Sequence, residues 1–256
     1  MLKDLGNTDI ALVIDSTGSM GHLIASAKQN IHKILIASSK KFKELDLDFR
    51  IAGISYRDHP PEDSTYVVVH QDFDGKANKK FYEFLESLQA DGGGDTAEAV
   101  FDGLQKLTEL KWRDNSYKIA ILVGDAPPHG MNSGMSNNNW DEKCPCGLTL
   151  NSVTSAIESK GIIVYSVMLE GGFEKYFSSI SNLTGGKCYT GLSGIDLIQK
   201  IIEDMCNKID TDKKILTYIE NNPKWDWDID KMCLATEINN VVVRESLSRL
   251  GSRGML

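Results

Sequence analysis

Three short runs of aliphatic and β-branched residues constrain the fold of this chain most strongly. They lie at residues 10–14, 118–123 and 162–169, and turn-forming residues bound each of them. Runs of this length and composition are typical of strands covered on both faces, which occur in parallel sheets flanked by helices. The sequence therefore predicts a parallel sheet with helices on both sides.

The segments between these runs complete an α/β pattern. Residues 48–56 and 65–73 also have the composition of strands, and the short loop between them favours antiparallel pairing at a sheet edge. Apolar residues at helical spacing and flanking turn signals predict the remaining elements. These are helices near residues 23–35, 81–88, 97–107, 150–160, 173–182 and 194–209, and a short strand at 187–190. We expect a doubly wound, mostly parallel α/β domain with one antiparallel edge strand over residues 1–209.

A different pattern begins at residue 210, where short helical stretches follow one another without strands. They lie at residues 215–221, 229–238 and 241–250, with an apolar stripe of Val242, Leu247 and Leu250 on the last one. Residues 210–256 therefore predict a small all-helical appendage that resembles the core of a winged helix-turn-helix. Its basic and acidic side chains balance at seven each over residues 212–256. Although Arg244, Arg249 and Arg253 give a modest basic face, this balance favours protein docking or dimerisation over DNA binding.

Composition narrows the function classes. The 41% hydrophobic and 25% charged residues are typical of a globular protein, and the net charge of −8 disfavours general binding to nucleic acids or anionic membranes. No apolar run approaches the roughly 18 residues of a membrane span, and the first residues lack the order of a signal peptide. Five irregularly spaced cysteines do not form a disulfide framework. We expect a cytoplasmic protein without membrane association.

Two of the buried runs end in aspartate. Asp15 follows the first run in the segment IDSTGSM (14–20), and Asp125 follows the run at 118–123. Ligands of doubly wound sheets bind outside the carboxyl ends of the strands, where the strand order reverses. If these two strands are neighbours, both carboxylates face one crevice. The glycine-rich turn GGGDT (92–96) would add the oxygens of Asp95 and Thr96.

These oxygens suit a hard cation. Carboxylates and hydroxyls are ligands of Mg²⁺ and similar ions, and do not favour zinc or copper. In a segment that is extended and then turns, Asp15, Thr17 and Ser19 can face the same side. The cation would then keep a water or an open position for a partner's carboxylate. For IDSTGSM alone, ordinary helix capping by Ser and Thr is the alternative interpretation.

Four segments together resemble the von Willebrand factor A domain with a metal-ion-dependent adhesion site. They are IDSTGSM (14–20), SYRDHPPEDS (55–64), GGGDTAEAV (92–100) and GDAPPHG (124–130). The resemblance covers about residues 7–209. The motifs look like those of the intracellular branch of the family, which is found in atypical alpha-kinases and related microbial proteins. No alpha-kinase catalytic region is present in the chain. It implies a Rossmann-like fold and a Mg²⁺ site that binds an acidic residue of a protein partner.

The family motif carries over to individual residues. Its first loop, Asp-x-Ser-x-Ser, is present as Asp15, Thr17 and Ser19, and Asp125 matches the aspartate of the third loop. The usual threonine of the second loop falls on Gly94, so Asp95 or Thr96 would supply that oxygen. An additional carboxylate there would weaken the attraction of the cation for an acidic partner.

Other chemistries remain as alternatives. His129, Cys144 and Cys146 could bind Zn²⁺ with Asp141 or His59 as a fourth ligand, but the tight Cys-x-Cys spacing favours a packed, reduced loop. A phosphoryl-accepting Asp15 would need a second acid where Thr17 stands, and a Ser–His–Asp hydrolase would need a G-x-S-x-G elbow. We expect residues 57–59 to anchor a hydrogen-bonded loop near the crevice.

The main hypothesis is thus a non-catalytic, Mg²⁺-dependent protein-binding domain with a helical tail for assembly. A regulator that binds DNA through the tail is the second hypothesis. A metal-dependent hydrolase is the third.

Overall fold

The computed structural model describes residues 6–26, 28, 46–75, 78–135, 140–169, 172–190, 194–222 and 228–256. Its strands are β1 (Asn7–Asp15), β2 (Asp48–Tyr56), β3 (Val68–Gln71), β4 (Tyr117–Gly124), β5 (Ile162–Met168) and β6 (Cys188–Thr190). Over these described ranges they form one sheet in the order β3-β2-β1-β4-β5-β6. Among these described strands, only the β2–β3 pair is antiparallel. The expected α/β fold with one antiparallel edge strand is confirmed.

Helices follow or separate the strands along most of the chain. They are α1 (Lys79–Ser87), α2 (Val100–Leu107), α3 (Leu150–Ser159), α4 (Glu174–Leu183), α5 (Gly194–Asn221), α6 (Ile229–Thr236) and α7 (Asn240–Ser252). Residues 21–26 are also helical, whereas most of the helix expected at 23–35 lies outside the described residues. No helix in the described ranges has both the length and the apolarity needed to cross a bilayer.

The sheet separates two hydrophobic cores. Along β1, Ala11 and Val13 face a core shared with α2, α3 and α4, whereas Ile10, Leu12 and Ile14 face a core shared with α1 and α5. This alternation follows from the two-residue period of a strand, and its apolar residues on both faces explain the continuous apolar run in the sequence.

Helix α5 differs from the expectation at the end of the α/β domain. The sequence pattern predicts separate helices at 194–209 and 215–221, but one helix runs through both segments. The polar residues at 210–214 lie in two environments that a continuous helix can provide, one buried and one exposed to solvent. Asp212 is fully buried, while Asp210 and Lys214 form an exposed i,i+4 ion pair. The position that divides the two expected domains therefore lies inside α5.

The tail after residue 210 packs against the same core as the sheet. Met232, Val243 and Leu250 are fully buried in one hydrophobic cluster with Ile10 and Ile119. Buried Asp212 strengthens this packing: it accepts hydrogen bonds from Ser246 Oγ at 2.6 Å, from Arg249 Nη2 at 2.6 Å and from the Tyr117 hydroxyl. Since Tyr117 begins β4, the tail docks at the amino end of the central strands.

Two details of the tail differ from the sequence interpretation. The fully buried face of α7 contains Val243, Ser246 and Leu250, so it is shifted from the expected stripe of Val242, Leu247 and Leu250. The basic face is also smaller than expected, because Arg249 pairs with Asp212 and the Arg253 guanidinium lies 3.7 Å from the centre of the Tyr117 ring. These two arginines therefore bind other parts of the chain.

Asp9 links several segments at the amino end of the sheet through hydrogen bonds. Its buried carboxylate accepts hydrogen bonds from Arg50 Nε at 3.0 Å, from the Arg113 backbone amide at 2.8 Å and from Ser116 Oγ at 2.9 Å. Burial raises the pKa of Asp9, but its bonds to Arg50 and Arg113 outweigh burial and lower the pKa below the ordinary 3.8. The ionised form therefore stabilises the fold.

We expect Asp9→Asn to lower the free energy of unfolding by about 2–3 kcal/mol at neutral pH, since a charged acceptor of several hydrogen bonds is lost. The folded-state pKa is the lower one, so this stabilisation is present above pH 3.8 and is lost as the pH falls through the lowered pKa. Urea denaturation of both proteins at neutral and acidic pH measures this change. Glu83→Gln, in an exposed pair with Lys79, is the control and should show almost no loss. A pH-independent deficit of Asp9→Asn would contradict the assignment.

Candidate functional site

Asp15 and Asp125 lie at one end of the sheet, as expected for neighbouring strands. Strands β1 and β4 pair in parallel, with Ile14 opposite Val123, so Asp15 ends one strand and Asp125 directly follows the carboxyl end of its neighbour. The chain passes from β1 to β2 on one side and returns to β4 on the other, which makes this the position where the strand order reverses. The structure therefore places the two aspartates where ligands bind in sheets of this kind.

The first loop holds its oxygens close together. Asp15 Oδ1 accepts hydrogen bonds from the Thr17 backbone amide at 2.8 Å and from Thr17 Oγ1 at 2.7 Å. Ser19 Oγ lies 3.5 Å from Thr17 Oγ1. The other carboxylate oxygen of Asp15, Oδ2, is buried and has no hydrogen-bond partner among the described residues. Asp15, Thr17 and Ser19 thus gather on one side of the loop.

Ser16 faces the opposite side and anchors the loop. Its hydroxyl donates to the Tyr56 carbonyl at 3.1 Å and accepts from Ser55 Oγ at 2.6 Å, and it lies 2.8 Å from the Tyr66 hydroxyl. The short 3₁₀ turn Gly18–Met20 follows, and its N-cap residue Thr17 makes no side-chain capping bond. The Thr17 hydroxyl therefore serves the Asp15 carboxylate and not the helix start.

Glycines bring the second loop against the first. The Gly18 amide donates to the Gly92 carbonyl at 3.1 Å. Gly93 has a φ of +80°, and a Cβ there would lie 3.2 Å from Thr17 Cβ and 3.0 Å from Glu98 Oε1. A side chain at this position would be both strained and crowded. The turn at 92–94 thus permits a close approach of the two loops.

Glu98 hydrogen-bonds with the first loop, whereas Asp95 and Thr96, the two residues expected to supply the oxygen of the second loop, make other contacts. The Glu98 side chain is buried and hydrogen-bonds with Thr17. Thr96 is exposed, and its backbone amide donates to the Met135 carbonyl at 3.3 Å. Asp95 groups with Asp58 and His129, with one ligand atom of each lying within 4.8 Å of the others. Sequence reasoning missed Glu98, although a single acid within the apolar stretch AEAV is itself a sign of a buried charge.

Five carboxylates surround this crevice, and we refer to them as the acidic cluster. Asp15, Asp58, Glu98 and Asp125 are buried, and Asp95 is partly buried. Burial raises the pKa of Asp15 to about 7, and the charges of Asp125 and Asp58 add to this effect. Burial, together with Asp15, Asp58 and Asp95, raises the pKa of Glu98 to about 11.

The negative charges of the acidic cluster must be neutralised by a proton or a cation. In the described parts of the chain, no lysine or arginine forms an ion pair with Asp15 or Glu98. Buried like charges are costly unless a proton or a cation neutralises them. Its carboxylates and hydroxyls are the ligands that Mg²⁺ prefers, so the residues present fit this ion.

The loop at 57–59 is hydrogen-bonded beside the acidic cluster, as expected. Arg57 donates to Thr65 Oγ1 and to the Gln89 carbonyl, each at 2.8 Å. Asp58 Oδ1 accepts from the His59 backbone amide and lies 2.6 Å from His129 Nε2. Because the side chains of Asp58 and His129 are fully buried, this pair fixes the loop at 57–59 and the third loop relative to each other.

A second group of ligand-type side chains lies next to this loop, and we refer to it as the thiol cluster. It contains His59, Asp102, Cys144 and Cys146, with one ligand atom of each within 4.8 Å of the others. The two cysteines of the zinc alternative are therefore together, although their spacing favoured a packed, reduced loop. His129 groups with Asp58 and Asp95 instead, so His59, and not His129, is the histidine grouped with the thiols.

Comparisons of sequence identify related proteins. The family model described as von Willebrand factor A domain matches residues 9–191. The chain is 29% identical over 157 residues to the alpha-protein kinase vwkA of Dictyostelium discoideum, which covers 61% of this chain and 24% of that protein. It is 25% identical over 197 residues to the putative ariadne-like RING finger protein R811 of Acanthamoeba polyphaga mimivirus, covering 70% and 18%. The chain thus spans less than a quarter of the length of these two relatives.

A comparison of structure supports the same fold. The pilus adhesin SpaC of Lactobacillus rhamnosus GG, in its open conformation, matches with a TM-score of 0.54 at 14% identity. The match covers 80% of this chain and 30% of the adhesin. At this identity the likeness concerns the fold alone.

Proposed function

We propose that this chain, which belongs to the von Willebrand factor A domain family, is a Mg²⁺-dependent domain that binds a carboxylate of a protein partner. Domains of this family often mediate interactions between proteins. The observation that carries the proposal is Asp15 Oδ2, a buried carboxylate oxygen without a hydrogen-bond partner inside the acidic cluster. A bound cation would supply the missing partner.

The cation would be held by residues from all three loops. Asp15, Thr17 and Ser19 of the first loop would bind it together with Asp125 of the third loop, directly or through water. The contact of Glu98 with Thr17 favours Glu98 over Asp95 and Thr96 as the oxygen of the second loop. When bound, Mg²⁺ would neutralise part of the acidic cluster and offer a coordination position to an external oxygen ligand.

The surroundings of the site favour binding over hydrolysis. His129 is the candidate general base of the hydrolase hypothesis, but its side chain is fully buried and its Nε2 is engaged with Asp58. A general base needs access to the proton that it removes. The DNA hypothesis is weakened in a similar way, because Arg249 and Arg253 contact the chain itself.

Calorimetric titration of Mg²⁺ into chelator-treated protein tests the metal site. We expect binding by the wild type and by Asp210→Ala, an exposed control on α5, and no binding by Asp15→Ala. Removing Asp15 deletes both the buried carboxylate and the acceptor that orients Thr17. Equal titration curves for Asp15→Ala and the wild type would defeat the proposal.

A peptide array tests the partner chemistry. Each acidic peptide is paired with its amide counterpart, Asp with Asn and Glu with Gln, and probed with and without chelator. Binding should prefer the carboxylate member, require Mg²⁺ and disappear in Asp15→Ala. Chelator-insensitive binding, or equal binding of acids and amides, would show that the cation does not recognise a carboxylate.

A further inference from the structure

The thiol cluster brings four potential ligands from three separate segments to one point. His59 follows β2, Asp102 lies on α2, and Cys144 and Cys146 belong to the connection between β4 and α3. Asp102 Oδ2 lies 3.0 Å from His59 Nε2, 3.5 Å from Cys144 Sγ and 3.3 Å from Cys146 Sγ. Cys144 Sγ lies 3.3 Å from His59 Nε2 and 2.8 Å from Cys146 Sγ.

We propose that His59, Asp102, Cys144 and Cys146 form a Zn²⁺ site separate from the acidic cluster. Two sulfurs, one imidazole nitrogen and one carboxylate oxygen are all established types of zinc ligand. Four protein ligands close a tetrahedral coordination sphere, which is characteristic of a structural site and not of a catalytic one. Thiolates also distinguish this site from one for Mg²⁺, which prefers oxygen.

The contacts of the His59 ring distinguish a metal site from a catalytic triad. In a Cys–His–Asp triad, the cysteine and the aspartate contact different ring nitrogens, so that one orients the ring while the other exchanges a proton. Here Cys144 Sγ and Asp102 Oδ2 both approach the same nitrogen, Nε2. Convergence on a single nitrogen is the arrangement expected when that nitrogen shares a metal ion with the sulfur and the oxygen.

The backbone around the two cysteines orients both sulfurs for metal binding. The Gly147 amide donates to the Cys144 carbonyl at 2.9 Å, and Gly147 has a φ of +79°, which closes a tight turn around Cys-Pro-Cys. Cys144 sulfur accepts a hydrogen bond from the Cys146 amide, and Cys146 sulfur accepts one from the Leu148 amide. Backbone amides directed at ligand sulfurs stabilise metal-bound thiolates and fix their orientation.

A zinc ion here would fasten the third loop to the domain. Residues 125–149 connect β4 to α3 and contain no helix or multi-residue strand in their described part, and connections of such length are uncommon unless they have a function or an internal support. The site would join this connection to α2 and to His59. His59 is adjacent to Asp58 of the acidic cluster, so the zinc would hold one side of the magnesium site in place.

Metal analysis of the full chain tests this proposal. Protein purified under reducing conditions should contain about one zinc per chain by mass spectrometry. After zinc removal, Co²⁺ should produce a thiolate-to-cobalt charge-transfer band and the visible absorption of tetrahedral cobalt. Both measurements use the wild-type chain, so they do not depend on whether a variant folds. A wild type that takes up neither metal would overturn the proposal.

Variants locate the metal. Cys146 is exposed, so Cys146→Ser should preserve the fold and weaken Zn²⁺ binding by more than the roughly 10–100-fold typical of outer-shell changes. Cys233→Ser, which replaces a partly exposed cysteine of α6, is the matched control and should retain zinc. Asp15→Ala should retain zinc as well, which distinguishes this site from the magnesium site. Unchanged zinc affinity in Cys146→Ser, or a Cys144–Cys146 disulfide that persists in reducing buffer, would refute the site.

Discussion

Replacing Asp212 with alanine is expected to destabilise the protein by about 3–5 kcal/mol, a large share of the roughly 5–15 kcal/mol that stabilises a typical domain. The carboxylate is fully buried and accepts hydrogen bonds from Tyr117, Ser246 and Arg249. Its removal leaves a mostly buried guanidinium and two buried hydroxyls without this acceptor. Because Tyr117 belongs to β4 and the other two belong to α7, the tail should also detach more easily from the sheet.

Asp210→Ala is the matched control for this prediction. Asp210 lies two residues earlier on the same helix and pairs with Lys214, and these side chains are 48% and 57% exposed. Such a pair contributes only about 0.3–0.5 kcal/mol. Urea denaturation gives both free energies. Similar losses in the two variants would show that Asp212 does not have the structural role described above.

Asp15→Asn is expected to stabilise the metal-free protein and to abolish its stabilisation by Mg²⁺. The amide keeps an oxygen for the two Thr17 donors and removes charge from a buried oxygen without a partner, so the metal-free protein should gain about 1–3 kcal/mol. The wild type alone should then gain about 2.7 kcal/mol when Mg²⁺ reaches 100 times its dissociation constant. The metal-free variant is thus the more stable protein, and the wild type is the one that responds to the cation.

Chemical denaturation with chelator and with Mg²⁺, at about pH 8, measures both effects. The raised pKa of about 7 means that Asp15 is ionised in the fold only above this value, so its destabilising effect appears as the pH rises from the ordinary 3.8 through 7. The gain of the metal-free variant should therefore shrink towards pH 4. Asp210→Asn should respond to Mg²⁺ like the wild type. A full Mg²⁺ response in Asp15→Asn would exclude Asp15 as the central ligand.

The sheet could be predicted from the sequence because its strands have a local signature. In β1, residues such as Val13 and Ile14 meet different cores, so apolar side chains are required at consecutive positions. The continuity of α5 could not be predicted, since the polar segment DTDKK (210–214) resembles a break between two helices. In the folded chain, Asp212 of this segment is buried against its partners Tyr117 and Arg249. Those contacts join residues far apart in the chain, and no local pattern records them.

The candidate site could be predicted only in part, for a related reason. Asp15 and Asp125 lie at the ends of strands, so their shared location requires only that the two strands be neighbours, which the sequence leaves as a condition and the structure shows. Glu98 and the grouping of His59 with the cysteines depend on how irregular loops fold over the sheet. Spacing along the chain does not determine such contacts, because Asp102 and His59 are brought to Cys144 by three independent segments.

The two edges of the sheet limit how a partner can associate with this protein. Within the described residues, strand β3 has four residues and β6 has three, so each outer edge offers few unpaired backbone groups there. Short edges discourage the addition of a further strand from another chain, and hence both β-augmentation and edge-to-edge aggregation. A partner would then rely on side-chain and loop contacts, and in the proposed function the carboxyl ends of β1 and β4 carry the residues that make them.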